Sequence, residues 1–373
     1  MPRALLIGDF GQPDPVESAL IETFVRSLPS QWSPVVASMD PAGTSRRHQI
    51  EAVQRLTARN VPQQVRAADA VIVAGGTPFR FPMSRARQRP VDGGRNLMAL
   101  SATASALSKP VAALGLGTDS LPGRSSRTLA RGLVRQADLL VLRDEESAET
   151  LTAAGARPPF RVGSDPTWTV LDGPVTSAVQ TAPSATVVLE RPARSWFDAD
   201  FLATALQAVE RGGLRVQLQP WLRTNAEGGD LALARHLAAR LDDAVILDTP
   251  PDLVAARDSL VDSSVVVCMR YHALVAAASA GARFVAASST PGPRGLAQRF
   301  DQPSIAHDAT PERLAEAVFT AAAGRYPDPA TVRSEIAGAE EGFRLMRLLL
   351  NGGAVEDAGE ITGLPLRPTE WAQ

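Results

Sequence analysis

The chain has a single cysteine, Cys268, so it can build neither an intrachain disulfide nor a cysteine-based metal site. That fits a reducing compartment. Its four histidines, His48, His236, His272 and His307, are widely scattered, which argues against a metal cluster. Lysine is almost absent: of 38 basic residues only Lys109 is lysine and the other 37 are arginine. The skew is better read as coding bias than as chemistry, although each arginine can hold an anion by two parallel hydrogen bonds. Excess positive charge is missing too. A net charge of −2 withholds the basic surface that a nucleic-acid partner requires. No apolar run approaches the roughly 18 residues of a membrane span, and the run Ala4–Gly8 is too short for a secretory signal. The expectation is a cytoplasmic protein that is not integral to a membrane and at most touches one peripherally. No P-loop or complete dinucleotide fingerprint occurs, and the lack of a Gly-x-Ser-x-Gly elbow argues against a serine hydrolase.

What is present is alternation. Apolar, strand-like runs at Ala4–Ile7, Ala70–Ala74, Val111–Leu116, Leu139–Leu142, Thr186–Leu189, Arg215–Leu218, Ala244–Leu247, Val265–Met269 and Phe284–Ala287 are separated by helical patterns. Among the latter are Val16–Leu28, Leu97–Leu107, Arg124–Gln136, Glu145–Ala154, Asp200–Arg211 and Leu231–Leu241. Continuous apolar strands between helices imply parallel sheets covered on both faces. The pattern breaks at Asp172–Ala185, rich in Pro, Gly, Ser and Thr, where a linker is placed. The fold class expected is α/β, with two doubly wound, Rossmann-like domains facing across a cleft. Their bounds are residues 1–175 and 185–325, followed by a helix at 326–351 and a loosely ordered tail at 352–373. That helix could cap the second domain or cross back onto the first; its spacing fits both.

Candidate site residues lie where strands end, since ligands of open α/β sheets bind at the carboxyl edge. Val265–Met269 runs through Arg270 and Tyr271 to His272, just ahead of a small-residue helix. An ever-charged guanidinium and a group titrating near neutrality, beside a helix N-terminus, suit a phosphate or carboxylate. Glycines follow three strands of the first half, at Gly8 and Gly11, Gly75 and Gly76, and Gly115 and Gly117; Asp9 accompanies the first group. Arg143 ends the fourth run, ahead of Asp144, which suits an N-cap. Asp165 precedes a proline and shapes a turn. In the second half Glu190 and Arg191 end one strand and Trp221 follows the next. Trp221 could stack on a sugar, but a lone tryptophan is more often packing.

These stretches resemble the polysaccharide pyruvyl transferase family. The resemblance is carried by Gly8-Asp-Phe-Gly11, Val71–Gly76, Gly115-Leu-Gly117, Leu142–Ser147, Gly163–Pro166 and Met269-Arg-Tyr-His-Ala-Leu274. It implies a glycosyltransferase-B-like fold. It also implies transfer of pyruvate from phosphoenolpyruvate to two hydroxyls of a saccharide or glycolipid, forming a cyclic ketal. Phosphoenolpyruvate is then a co-substrate, with no cofactor and no metal. The resemblance makes His272 and Arg270 the catalytic pair, with Arg143, Arg191 and Arg294 as donor-binding residues. The first domain becomes the acceptor side, with Gly8, Asp9, Gly75, Gly76, Gly115, Gly117, Asp144 and Asp165 as acceptor or cleft residues alongside Glu190. The second becomes the phosphoenolpyruvate side.

Two segments depart from the family. Where many members carry Asn-x-Gly-Asp-Glu, this chain has Gln12–Glu17, with Asp14 and Glu17 as loose substitutes. Where the family often has Ser-Tyr-Asp-Pro-Lys, it has Ser288-Ser-Thr-Pro-Gly292, with Arg294 two positions beyond. Two alternatives therefore stand: a catalytically silent saccharide-binding relative, and a nucleotide-sugar glycosyltransferase or epimerase. Whether His272 acts as acid or base is equally open.

Overall fold

The computed structural model describes residues 1–12, 14–57, 59–77, 92–118, 121, 123–157, 159–173, 175, 182–190, 197–222, 229–288, 290–306 and 308–355. The chain divides into two compact units. The first comprises Met1–Gln12, Leu20–Thr169 and the stretch from Ser334 onward; the second comprises Pro13–Ala19 and Val170–Arg333.

In chain order the first sheet and its helices are β1 (Arg3–Phe10), α1 (Pro15–Ser27), β2 (Ser33–Ser38), α2 (Pro41–His48), β3 (Glu51–Gln54), α3 (Val61–Ala67) and β4 (Ala70–Ala74). There follow α4 (Asp92–Ala106), β5 (Val111–Leu116), α5 (Gly123–Gln136), β6 (Leu139–Leu142), α6 (Glu145–Ala153) and β7 (Arg161–Val162). The strands form one parallel sheet in the order β3-β2-β1-β4-β5-β6-β7. Every residue of β4, β5 and β6 is buried, as strands covered on both faces must be. α5 shows how the helices cover them: Ser126, Ala130, Leu133 and Val134 recur at helical spacing on its buried face, and its arginines face out.

The second unit repeats the plan with β8 (Ser184–Val188), α7 (Ala199–Arg211), β9 (Arg215–Gln219), α8 (Asp230–Ala238), β10 (Val245–Ile246), α9 (Leu253–Asp258) and β11 (Val265–Cys268). It continues with α10 (Tyr271–Ser279), β12 (Phe284–Ala287), α11 (Pro291–Arg299), β13 (Ser304–Ile305) and α12 (Pro311–Ala323). Its parallel sheet runs β10-β9-β8-β11-β12-β13. Asp198, Asp252 and Thr310 cap α7, α9 and α12 through their side-chain oxygens, satisfying N–H groups that a helix start leaves over. α10 is buried almost all round, and its Ala273–Ala278 run lets it lie close to the sheet.

The last helix, α13 (Pro329–Leu350), belongs to the first unit from Ser334 onward. Phe343 meets Phe24 of α1 edge to face, with ring centroids 5.1 Å apart, and Gly338 lies against Ser164. The helix therefore crosses back instead of capping the second unit.

Four strands escape the hydrophobic pattern: β2, which contains Pro34; β3, polar at both ends; and β7 and β13, two residues each. The glycine turns follow β1, β4 and β5. The units also part earlier than the expected linker, between Thr169 and Val170.

Candidate functional site

Apart from the extra edge strand β7 of the first sheet, the two sheets share one strand order, and in each that order reverses beside the first strand. The reversal falls between β1 and β4 in the first unit and between β8 and β11 in the second. Connections leave the two central strands towards opposite sides there, opening a crevice at their carboxyl ends. Gly8, Asp9, Gly75 and Gly76 fall at the first of these places, and Glu190, Arg270 and His272 at the second.

In the second unit, β8 leads into Leu189 and the buried Glu190, and β11 passes through Met269 into Arg270, which stands at the N-cap position of α10. Arg270 Nε donates to the Leu189 carbonyl at 2.8 Å, and Nη2 donates to Asp230 Oδ2 at 2.5 Å. Asp230 is fully buried and also accepts from the backbone N–H groups of Trp221 and Leu222. Arg270 thus ties the ends of β8, β9 and β11 together. His272, half-buried in the first turn of α10, sets its ring edge-on to Tyr271 with centroids 5.4 Å apart.

Trp221 is a correction to any stacking role. It is buried, and its Nε1 donates to Gln219 Oε1 at 3.2 Å. Gln219 in turn donates to Ser259 Oγ at 2.7 Å. Arg294 is exposed in the first turn of α11, with Gly292 buried two residues earlier. Arg191 lies outside the described residues.

In the first unit, the pairing of β1 with β2 skips between Ile7 and Phe10, so Gly8 and Asp9 bulge out. Phe10 returns to the core over Gly8, where an added Cβ would meet its ring at 2.7 Å. Asp9 is exposed and makes a loose 3.4 Å pair with Arg55. Gly75 and Gly76, at the end of β4, both have positive φ, and among the described residues nothing lies within 4 Å of where a Cβ would stand on Gly76.

The remaining candidates are buried. Gly115 has φ of +69° and leaves the space that the Pro166 ring fills. Gly117 does the same for the Arg143 guanidinium, whose Nε donates to Asp144 Oδ2 at 3.0 Å. Asp144 caps α6 by accepting from Ser147 N at 2.8 Å, and Ser147 Oγ in turn accepts from Thr118 N at 2.9 Å. With both partners buried, this corrects the expectation that Arg143 stands open at the sheet edge. Asp165 is likewise interior, its Oδ1 accepting from Thr167 N and Oγ1 at 3.0 and 2.6 Å to form the turn ahead of Pro166.

Asp230, which holds Arg270, was not among the sequence candidates. Its signal, an acid just before an apolar helical pattern, is that of any helix start. Among the described residues, no group of three or more His, Cys, Asp or Glu side chains is placed to hold a metal ion. No helix among them is long and apolar enough to cross a membrane.

Comparison with known proteins bears on the same segments. The family model for polysaccharide pyruvyl transferase matches residues 19–290, a span containing both the Arg143 and the Arg270–His272 stretches. The chain belongs to the polysaccharide pyruvyl transferase family. No curated protein matches it by sequence.

Among solved structures the family member resembles a Listeria monocytogenes protein assigned as a UDP-N-acetylglucosamine 2-epimerase. The TM-score is 0.66 at 13% identity, covering 96% of this chain and 98% of that one. It also resembles Staphylococcus aureus MnaA, solved with UDP, at a TM-score of 0.63 and 14% identity over 94% of this chain and 97% of that one. A third likeness is to the UDP-GlcNAc 2-epimerase of Methanocaldococcus jannaschii, at 0.60 and 13% over 94% and 100%. At such identities the likeness shows the fold alone: α/β, of the glycosyltransferase-B-like class.

Proposed function

We propose that this transferase moves pyruvate from phosphoenolpyruvate onto two hydroxyls of a saccharide, forming a cyclic ketal and releasing phosphate. The observation that carries the reading is the position of Met269–Leu274. This segment lies within the family match and stands where the second sheet's strand order reverses.

The chemistry asks for what that position offers. The donor has a carboxylate and a phosphate, which call for directed N–H donors, and guanidinium forks supply them. Its C3 must gain a proton so that C2 becomes open to a hydroxyl oxygen. The first C2–O bond to the sugar forms, the C2–O bond to phosphate breaks, and the second hydroxyl closes the ring. Of the two hydroxyl protons released, one balances the proton gained at C3 and the other leaves with phosphate. His272 is the titratable group available for this traffic, a role typically worth about 10²–10⁴-fold in rate. Arg270 is the donor ligand, and the exposed Arg294 is a second cation at the same sheet edge. The reading puts the reaction in the cytoplasm.

Mass spectrometry of saccharides incubated with phosphoenolpyruvate tests it: a pyruvyl ketal's added mass is expected, together with phosphate release that depends on the acceptor. His272→Ala should abolish both while leaving the circular dichroism spectrum unchanged. An unchanged rate would remove His272 from catalysis.

The likeness to UDP-GlcNAc 2-epimerases favours one other reading, a nucleotide-sugar enzyme. Thermal stabilisation by a nucleotide sugar and not by phosphoenolpyruvate would select it.

A further inference from the structure

Asp230 belongs to none of the segments that carry the family resemblance, yet it is fully buried beside Arg270. Its Oδ2 accepts three hydrogen bonds, from Trp221 N at 3.3 Å, Leu222 N at 3.0 Å and Arg270 Nη2 at 2.5 Å. The two backbone bonds lock the carboxylate, and the third passes that rigidity to the guanidinium. Arg270 Nε is held independently by the Leu189 carbonyl at 2.8 Å. A planar fork fastened at two nitrogens keeps one orientation. Among the described residues its Nη1 makes no hydrogen bond, so this nitrogen remains to meet a ligand. Asp230 also offsets the charge of Arg270. What the fork offers an anion is therefore a directed N–H more than net positive charge.

We propose that Asp230 is a positioning residue of the donor site. It fixes the plane of Arg270 so that Nη1 is presented to the carboxylate or phosphate of the enolpyruvyl donor. This rests on the pyruvyl-transfer reading above. Losing the charged acceptor frees the guanidinium to turn, so donor affinity falls while the chemical step, run by other groups, is largely kept.

Two measurements on the full chain test it. In steady-state kinetics Asp230→Ala should raise KM for phosphoenolpyruvate about tenfold or more with kcat within about threefold, and Asp230→Asn, which keeps an acceptor oxygen, should recover part of the loss. A lower kcat with unchanged KM in both variants would mean a structural role only and overturn the proposal. If the alanine variant fails to fold, the asparagine variant decides alone, an unchanged KM again overturning it.

The second measurement needs no turnover. In protein labelled with ¹⁵N-arginine, the Nε signal missing from Arg270→Lys identifies Arg270. Rotation about its Cζ–Nε bond should be slow in the wild type and faster in the Asp230 variants; equal rates would overturn the proposal. Should the wild type form no ketal with any acceptor, the pyruvyl-transfer reading fails, while the NMR result still tells whether Asp230 holds Arg270.

Discussion

The guanidinium of Arg143 lies directly against the Cα of Gly117, in the space a Cβ would take. Gly117 is therefore fixed by the arginine, and the arginine by its buried pair with Asp144 at 3.0 Å. Gly117→Ala should force the guanidinium aside and cost about 1–3 kcal/mol. Arg143→Ala should cost more, about 3–5 kcal/mol, because it strands the Asp144 charge in the interior. Urea unfolding measures both. An Arg143→Ala protein of wild-type stability would instead restore Arg143 as a residue open to ligand.

This pair also marks how far the sequence could be read. Apolar runs such as Ala70–Ala74 and Phe284–Ala287 coincide with β4 and β12 residue for residue, because buried parallel strands leave an uninterrupted signature. The edge strands β3 and β7 were illegible, since one is polar and the other too short to show a period. For the site, sequence could place Arg143 and Arg270 at strand ends but not say which way either turned. For Arg270 the orientation depends on a partner 40 residues away, Asp230, and for Arg143 on the space that Gly117 leaves as well as on its neighbour Asp144. Asp230 was missed for the same reason.

Cys268 ends β11 with its thiol wholly buried, and burial raises its pKa well above the usual cysteine range. A thiolate is the reactive form, so the native protein should be inert to a thiol reagent at pH 8. Ellman's reagent should give no colour until denaturant is added, and then one thiol per chain. Rapid reaction of the folded protein would show that the strand edge opens.

His48, at the end of α2, has its pKa lowered below 6.5, first by burial and then by the neighbouring Arg47 charge. A lowered folded value means the unfolded chain binds its proton more readily. The contribution of His48 is then fully present above about pH 6.5 and is lost as pH falls through the folded value. Unfolding midpoints recorded from pH 7.5 to 5 should drop less steeply in His48→Gln than in wild type. Parallel profiles would count against the assignment.

Arg270 needs its structural and chemical roles separated, because it both braces the β8, β9 and β11 ends and is the proposed donor ligand. Arg270→Ala should lose about 3–5 kcal/mol, since Asp230 keeps its charge in a buried site without the guanidinium. Loss of turnover in that variant would therefore prove little. Replacing both partners removes the stranded charge, and a pair of similar-sized neutral side chains is often close to neutral in stability. Arg270→Met combined with Asp230→Asn should accordingly regain most of the stability in urea unfolding. It should still form no ketal, because no guanidinium remains for the donor. If the double variant turned over phosphoenolpyruvate at a near wild-type rate, Arg270 would be a brace of the fold, and the donor's anionic groups would have to be held elsewhere.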